Sequence, residues 1–198
     1  MSLSHRSAIK YSVMTLALLP GLALAHEGHV SISGFGAGFA HPLGGFDHVL
    51  AMLAVGFWSA HQGGHARWQL PLVFVIALLL GGAMGIAGMT VPLLTLATEP
   101  MILTSSVVVG LMLALNGTLR TATAAILCAG FALFHGLAHG AEIPAGSSAL
   151  AYATGFALAT AVLHGIGLLS GLAVGVWPGM HRWAGGLIAC FGLLLAIS

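Results

Sequence analysis

The sequence predicts an all-α integral membrane protein with six transmembrane helices after a cleaved signal peptide. Two bulk properties lead to this prediction: 59% of the 198 residues are hydrophobic and only 5% are charged. Soluble domains carry about 25% charged residues, so this chain cannot cover a water-facing surface. A soluble enzyme, a disordered chain and a nucleic-acid-binding protein are therefore excluded. At about 20 residues per span, the length allows about six or seven hydrophobic segments.

Residues 1–25 have the features of a secretory signal peptide. Arg6 and Lys10 form a positive start, residues 11–22 form a short apolar core, and residues 23–25 give an A-x-A cleavage site. An uncleaved first membrane helix is the alternative, although the apolar core is short for a span. The sequence therefore divides into a signal peptide at 1–25 and a transmembrane domain at 26–198.

Six apolar segments follow the cleavage site. They cover residues 34–60, 69–87, 99–119, 121–140, 148–174 and 183–197. The sixth segment is short for a full span. Many of the 29 glycines fall inside these segments, where they allow helix backbones to approach closely.

Three arginines predict the orientation of these segments. Arg67, Arg120 and Arg182 each fall between two segments on the same side, which the positive-inside rule assigns to the cytoplasm. Glu99 and Glu142 fall at the opposite ends. We therefore expect a multi-pass protein of a bacterial inner membrane, with the mature N-terminus and the C-terminus in the periplasm.

A weak internal symmetry accompanies this order of segments. The tripeptide Gly-Phe-Ala occurs at 38–40 in the first segment and at 130–132 in the fourth. Two inverted halves of three spans each would produce such a pattern. The tripeptide recurs at 155–157 in the fifth segment, so a weak 3+3 inverted repeat stays an open interpretation.

A first polar cluster lies at the outer end of the first segment. His41, Asp47 and His48 occur in eight residues that also hold Pro42 and two glycines, which predicts a broken or tightly turned helix start. An ionisable group inside a membrane is costly unless it is paired or bound. The carboxylate of Asp47 can bind a divalent cation or orient a ligating imidazole. A structural network that ties helix ends together is the alternative.

A second polar cluster ends the fourth segment. His135 and His139 are four residues apart and Glu142 follows three later, so all three share one helix face. This spacing presents two imidazoles to one metal ion. Hydrogen bonding between helices is the alternative. Because both clusters lie at the outer ends of their segments, we expect them to converge on one divalent metal ion.

Weaker candidate ligands lie around these clusters. Glu99 begins the third segment on the outer side, and His164 lies deeper in the fifth, either as the next ligand along a path or as a structural histidine. Cleavage after residue 25 would expose His26 and His29 beside a free α-amine, a set that can chelate a metal. Three further histidines lie near the arginines, where an exit-site role competes with simple solvation: His61, His65 and His181.

Several catalytic signatures are missing from the sequence. It contains no Walker A motif, so we expect no ATPase domain in this chain. Residues 167–171 read G-x-x-S-G and do not match the G-x-S-G of membrane-embedded serine proteases. We therefore expect no bound prosthetic group and no enzymatic activity.

Two motifs identify a resemblance that covers the whole chain. Residues 41–52, HPLGGFDHVLAM, resemble the HPxxGxDHxxAM signature of the HupE/UreJ family of hydrogenase and urease accessory nickel permeases. Residues 131–144, FALFHGLAHGAEIP, are similar to the second signature of that family, FAxxHGxAHGxExP. The resemblance implies that six residues matter for transport: His41, Asp47, His48, His135, His139 and Glu142.

The resemblance implies an inner-membrane permease domain that takes up nickel, or in some members cobalt, for metalloenzymes such as hydrogenase or urease. The expected partners are the divalent metal ion and membrane lipid. Imidazole and carboxylate ligands alone do not select Ni²⁺, because they also bind Cu²⁺ and Zn²⁺. A membrane-embedded metalloenzyme, or a metal-binding accessory or sensor subunit with the same cluster, is the alternative.

Overall fold

The computed structural model describes residues 34–89, 92–177 and 179–197. Within these residues all regular structure is helical, as the composition predicts. A single 3-10 turn, His41–Leu43, follows the first helix. The α-helices are α1 Phe35–Ala40, α2 Phe46–Gln62, α3 Ala66–Ile86, α4 Pro92–Ala114, α5 Thr121–Ala141, α6 Ala149–Val174 and α7 Met180–Ala196. The predicted signal peptide and the predicted chelating residues His26 and His29 lie outside the described residues.

Four helical stretches are long and apolar enough to cross a membrane: Ala66–Ile86, Leu96–Ala114, Thr121–Ala141 and Ala149–Val174. The first segment is bent by 85° between Phe35–Leu43 and Phe46–Gln62, and it counts as a fifth span if both parts are taken together. The 17 residues of α7 are shorter. The chain is therefore a multi-pass membrane protein with four or five full-length candidate spans.

The predicted break at the start of the first segment is confirmed. The short turn His41–Leu43 contains Pro42, and the extended residue Gly45 (φ −114°, ψ 124°) directly precedes α2. A Cβ at position 45 would lie 2.6 Å from Asp47 Oδ1 and 2.9 Å from His48 Nδ1. Glycine at this position therefore makes room for the two polar side chains that follow it.

Glycines hold the helices together in pairs, as the sequence predicts. In the α2–α6 pair, a Cβ on Gly56 would collide with the His164 carbonyl, and one on Gly167 with the Leu53 carbonyl. The α3–α5 pair and the α4–α7 pair meet in the same way, through Gly136 and Gly110 respectively. Such close backbone contact replaces the side-chain packing of soluble helix pairs.

The three arginines lie at one end of the bundle, with Arg67 and Arg182 in the first turns of α3 and α7 and Arg120 directly before α5. The Gln62 side chain hydrogen-bonds to the backbone N–H and carbonyl of Leu119, and Arg182 Nε donates to the Ala114 carbonyl over 3.0 Å. Arg67 lines a cavity at this same end, together with His181. We call it the arginine end. The opposite end, where the side chains of His41 and Glu142 meet, is the histidine end.

The third segment lies earlier in the chain than the sequence predicts. The predicted range was 99–119, whereas α4 runs from Pro92 to Ala114. Proline is well tolerated in the first turn of a helix because its missing N–H is not needed there. At the other end, Asn116 adopts a left-handed conformation (φ 56°), which stops the helix. Glu99 consequently lies inside α4 and does not begin it.

Candidate metal centre

The polar cluster at the histidine end forms where two separate parts of the chain meet. His41 begins the turn that breaks the first segment, and Glu142 follows directly after α5. Nε2 of His41 lies 3.1 Å from Oε2 of Glu142, and Nδ1 of His139 lies 3.6 Å from the same oxygen. One carboxylate oxygen therefore lies between two imidazoles that belong to different parts of the chain.

A third and a fourth imidazole adjoin this group. The ring centroid of His139 lies 4.6 Å from that of His41 and 4.4 Å from that of His48. The rings of His48 and His135 are 5.3 Å apart. The structure thus places all four histidines of the two sequence motifs side by side.

The group is compact enough for one metal ion. His41, His139 and Glu142 each offer one ligand atom, and these atoms lie within 4.8 Å of one another. Ligand atoms about 2.1 Å from a shared ion are at most about 4.2 Å apart, so shifts of a few tenths of an ångström would complete the site.

Asp47 orients His48. Oδ1 of Asp47 lies 2.8 Å from Nδ1 of His48. Because a carboxylate accepts hydrogen bonds, Nδ1 carries the proton, and a neutral ring keeps its lone pair on Nε2. This second nitrogen is buried and has no hydrogen-bond partner. Of the two roles that the sequence left open for Asp47, the geometry favours orientation of a ligating imidazole.

His135 is held in the same way by the backbone. Its Nδ1 donates to the Phe131 carbonyl over 3.0 Å, and its buried Nε2 has no partner. His139 is also buried, and neither of its ring nitrogens has a hydrogen-bond partner within 3.5 Å. A network of hydrogen bonds between helices would use these nitrogens, whereas a metal site needs them free.

A cavity of about 430 Å³ adjoins the cluster. Its polar lining comes from three helices and includes Asp47, His48, Thr98, Glu99, His139 and Glu142. Glu99 is exposed on this cavity. The weaker sequence candidate Glu99 therefore shares one cavity with members of both motifs.

Among the described residues, acidic and basic side chains lie at opposite ends of the helix bundle. Asp47, Glu99 and Glu142 line the cavity at the histidine end, whereas the three arginines lie at the opposite end. A cavity lined by charge of one sign raises the local concentration of oppositely charged ions. The histidine end is therefore the end that attracts cations.

The remaining candidates lie elsewhere. His164 is deeper in the bundle, where the Phe74 ring separates it from His135 with centroid distances of 4.9 Å and 5.6 Å. His61 and His181 stack at the arginine end with centroids 4.6 Å apart. They lie at the end of the bundle opposite to the motif histidines.

Sequence reasoning missed three aromatic residues that surround the cluster. Phe156 packs against His139 at 4.5 Å, Tyr152 lies 5.8 Å from His41, and Phe74 contacts His135. The i, i+4 spacing of Tyr152 and Phe156 at the outer end of the fifth segment was the available signal. Their rings shield one side of the imidazoles.

Comparison with known proteins gives two matches. The family model described as "HupE / UreJ protein" matches residues 14–195. A curated protein of Rhizobium leguminosarum bv. viciae, "Protein HupE", is 41% identical over 196 residues, which cover 96% of this chain and 100% of that protein. No solved structure matches the chain.

Proposed function

The chain belongs to the HupE/UreJ family, and on that premise we propose that it is a bacterial inner-membrane permease for a divalent transition metal. The ion moves from the periplasm to the cytoplasm. Nickel is the first candidate and cobalt the second. The metal is the cargo of the protein and serves the maturation of metalloenzymes such as hydrogenase or urease.

One observation carries the proposal: His41, His139 and Glu142 gather at the broken end of the first segment. Nitrogen and oxygen ligands of this kind suit Ni²⁺ and Co²⁺. The cluster borders a cavity that carries all three acidic residues of the described chain. A capture site for a cation needs this combination of ligand atoms and attractive charge.

The proposed topology has six spans. The bent first segment is one, α7 is the sixth, and the arginine end faces the cytoplasm. At about 1.5 Å per residue, the 17 residues of α7 reach about 25 Å, slightly less than the roughly 30 Å of the hydrocarbon core. Local thinning of the bilayer accommodates such a difference at modest cost.

An inverted 3+3 repeat is part of the proposal. The six segments correspond to α2 with its preceding turn, α3, α4, α5, α6 and α7. If segments one to three are exchanged with segments four to six, the α2–α6 pair becomes the α5–α3 pair. The same exchange turns the α4–α7 pair into itself, and these are major helix contacts of the structure. The matching pair pattern supports a repeat of the kind that transporters use.

The membrane potential is sufficient to drive uptake. A divalent ion that moves inward gains about 4.6 kcal/mol per 100 mV, which corresponds to about three decades of concentration. A facilitator without a coupling ion therefore suffices. Binding to imidazoles and carboxylates still displaces protons from the site.

Reconstitution of the purified protein in liposomes tests the proposal. We expect Ni²⁺ to accumulate under an inside-negative potential, and Co²⁺ to compete with it. His48→Ala should lose this uptake, whereas the exposed loop variant His65→Ala should keep it. Metal binding without flux would contradict a permease and would favour the accessory or sensor alternative. Turnover of a substrate at the bound metal would favour the metalloenzyme.

A further inference from the structure

His164 is a fully buried imidazole that lies deeper in the bundle than the outer cluster. It is 1% exposed and lies ten residues before the end of α6 at Val174. Its hydrogen-bond partner Met52 also lies ten residues before the end of its helix, at Gln62. Both residues are therefore about 15 Å from the arginine end, well inside the bundle.

The backbone of α2 fixes the orientation of this ring. Nδ1 of His164 donates to the Met52 carbonyl over 2.7 Å. A carbonyl can only accept, so the neutral ring keeps its lone pair on Nε2. The close approach that allows this bond depends on Gly56, where a Cβ would collide with the His164 carbonyl.

The second ring nitrogen has no hydrogen-bond partner. Nε2 of His164 is buried without one, and a buried polar group that is left unsatisfied destabilises the fold. The buried lone pair is an available ligand position.

Thr160 adds an unpartnered hydroxyl on the same face of α6. It lies four residues before His164, is 0% exposed, and its Oγ1 has no partner. Other hydroxyls of α6 behave differently: Thr154 donates to the Leu150 carbonyl and Ser170 to the Ile166 carbonyl. Thr160 therefore differs from these two hydroxyls, and in the same helix the phenol oxygen of Tyr152 is also buried without a partner.

A mostly apolar cavity extends from this position toward the arginine end. This cavity of about 360 Å³ between α3 and α6 is lined by both His164 and Arg67. On the other side of His164, the Phe74 ring adjoins His135. His164 thus lies between the histidine end and the arginine end.

We propose that Nε2 of His164 and Oγ1 of Thr160 form an inner binding station that takes the ion after the outer cluster. This inference rests on the proposed permease function. The inner station has neutral ligands, whereas the outer cluster has three carboxylates nearby. It therefore binds the ion more weakly, as release toward the cytoplasm requires.

The test uses His164→Asn and Thr160→Val in the full-length protein. Asparagine keeps an N–H that can reach the Met52 carbonyl but has no counterpart of Nε2. Valine keeps the shape of threonine without its hydroxyl. The matched controls are His65→Asn in an exposed loop and Thr154→Val on the exposed face of α6.

Two measurements are made on each variant. Equilibrium dialysis with Ni²⁺ alone counts the bound ions, and proteoliposomes give the maximal uptake rate and the half-saturating Ni²⁺ concentration. For His164→Asn we expect one ion fewer and a maximal rate lower by about tenfold or more, with an unchanged half-saturating concentration. Thr160→Val should change the same quantities in the same direction, and both controls should match the wild type.

Wild-type ion counts and rates in His164→Asn and Thr160→Val would overturn the inner station. If His164→Asn does not fold, Thr160→Val decides between the outcomes. If the wild type binds Ni²⁺ without transporting it, the permease function fails, and the number of bound ions still decides whether the station exists.

Discussion

Glu142 and His41 are 101 residues apart in sequence, yet Oε2 of one lies 3.1 Å from Nε2 of the other. This contact joins the end of α5 to the break in the first segment. It brings the two sequence motifs together into one cluster.

Glu142→Gln should reduce Ni²⁺ uptake by about tenfold or more, because it removes the negative charge between two imidazoles but keeps the shape of the side chain. The Glu142 side chain is 59% exposed, so the fold should tolerate this change. Uptake in proteoliposomes and the amount of folded protein by size-exclusion chromatography check this expectation. Wild-type uptake in a well-folded Glu142→Gln protein would exclude Glu142 as a ligand.

His48→Ala and His139→Ala should each nearly abolish uptake, and the double variant should be little worse than either single variant. Residues that act as one unit give such non-additive effects. His65→Ala is the control and should keep most of the activity. Transport assays of the four proteins at equal expression check this, and defects that multiply would indicate two independent sites.

Asp47→Ala should raise the half-saturating Ni²⁺ concentration by about 10- to 100-fold, as expected for loss of a residue that orients a ligand. Asp47→Asn should have a smaller effect, because its amide oxygen can still accept the hydrogen bond from His48 Nδ1. Concentration-dependent uptake by both variants tests this order. The reverse order would show that the charge of Asp47 matters more than its hydrogen bond.

A reporter fused after Ser198 should be periplasmic, and a reporter inserted near Gln62 should be cytoplasmic. The basis is the clustering of the three arginines at one end of the bundle. Paired alkaline phosphatase and fluorescent protein fusions give the measurement. A cytoplasmic C-terminus would mean that α7 does not cross the membrane.

The mature protein should begin at His26, because residues 23–25 form an A-x-A cleavage site. Intact-mass measurement of the protein purified from membranes tests this. Retention of residues 1–25 would contradict the predicted cleavage. It would also exclude the chelating N-terminus formed by His26 and His29.

The sequence predicted the family and most of the cluster because their signals are local. Helical spacing put His135, His139 and Glu142 on one face, and Pro42 with two glycines predicted the break that brings His41 close to them. These inferences need only the geometry of one helix or one turn.

Other features depended on contacts between segments and left little trace in the sequence. The partner of His164 is the Met52 carbonyl. Residue types do not indicate which backbone carbonyl a side chain will contact. The sequence places the start of α4 at Glu99, with Pro92 in the preceding loop, whereas the helix begins at Pro92. Proline fits the first turn of a helix as well as it fits a loop. The aromatic residues around the imidazoles come from helices that the two motifs do not include.

The glycine contacts determine which parts of the bundle can separate. Within each pair the backbones touch, so α2 with α6, and α3 with α5, resemble rigid two-helix plates. The outer cluster spans two plates, since His41 and His48 belong to one and His139 and Glu142 to the other. His164 and its Met52 partner belong to a single plate. A hinge motion between the plates would therefore dismantle the outer cluster and leave the inner histidine fully oriented.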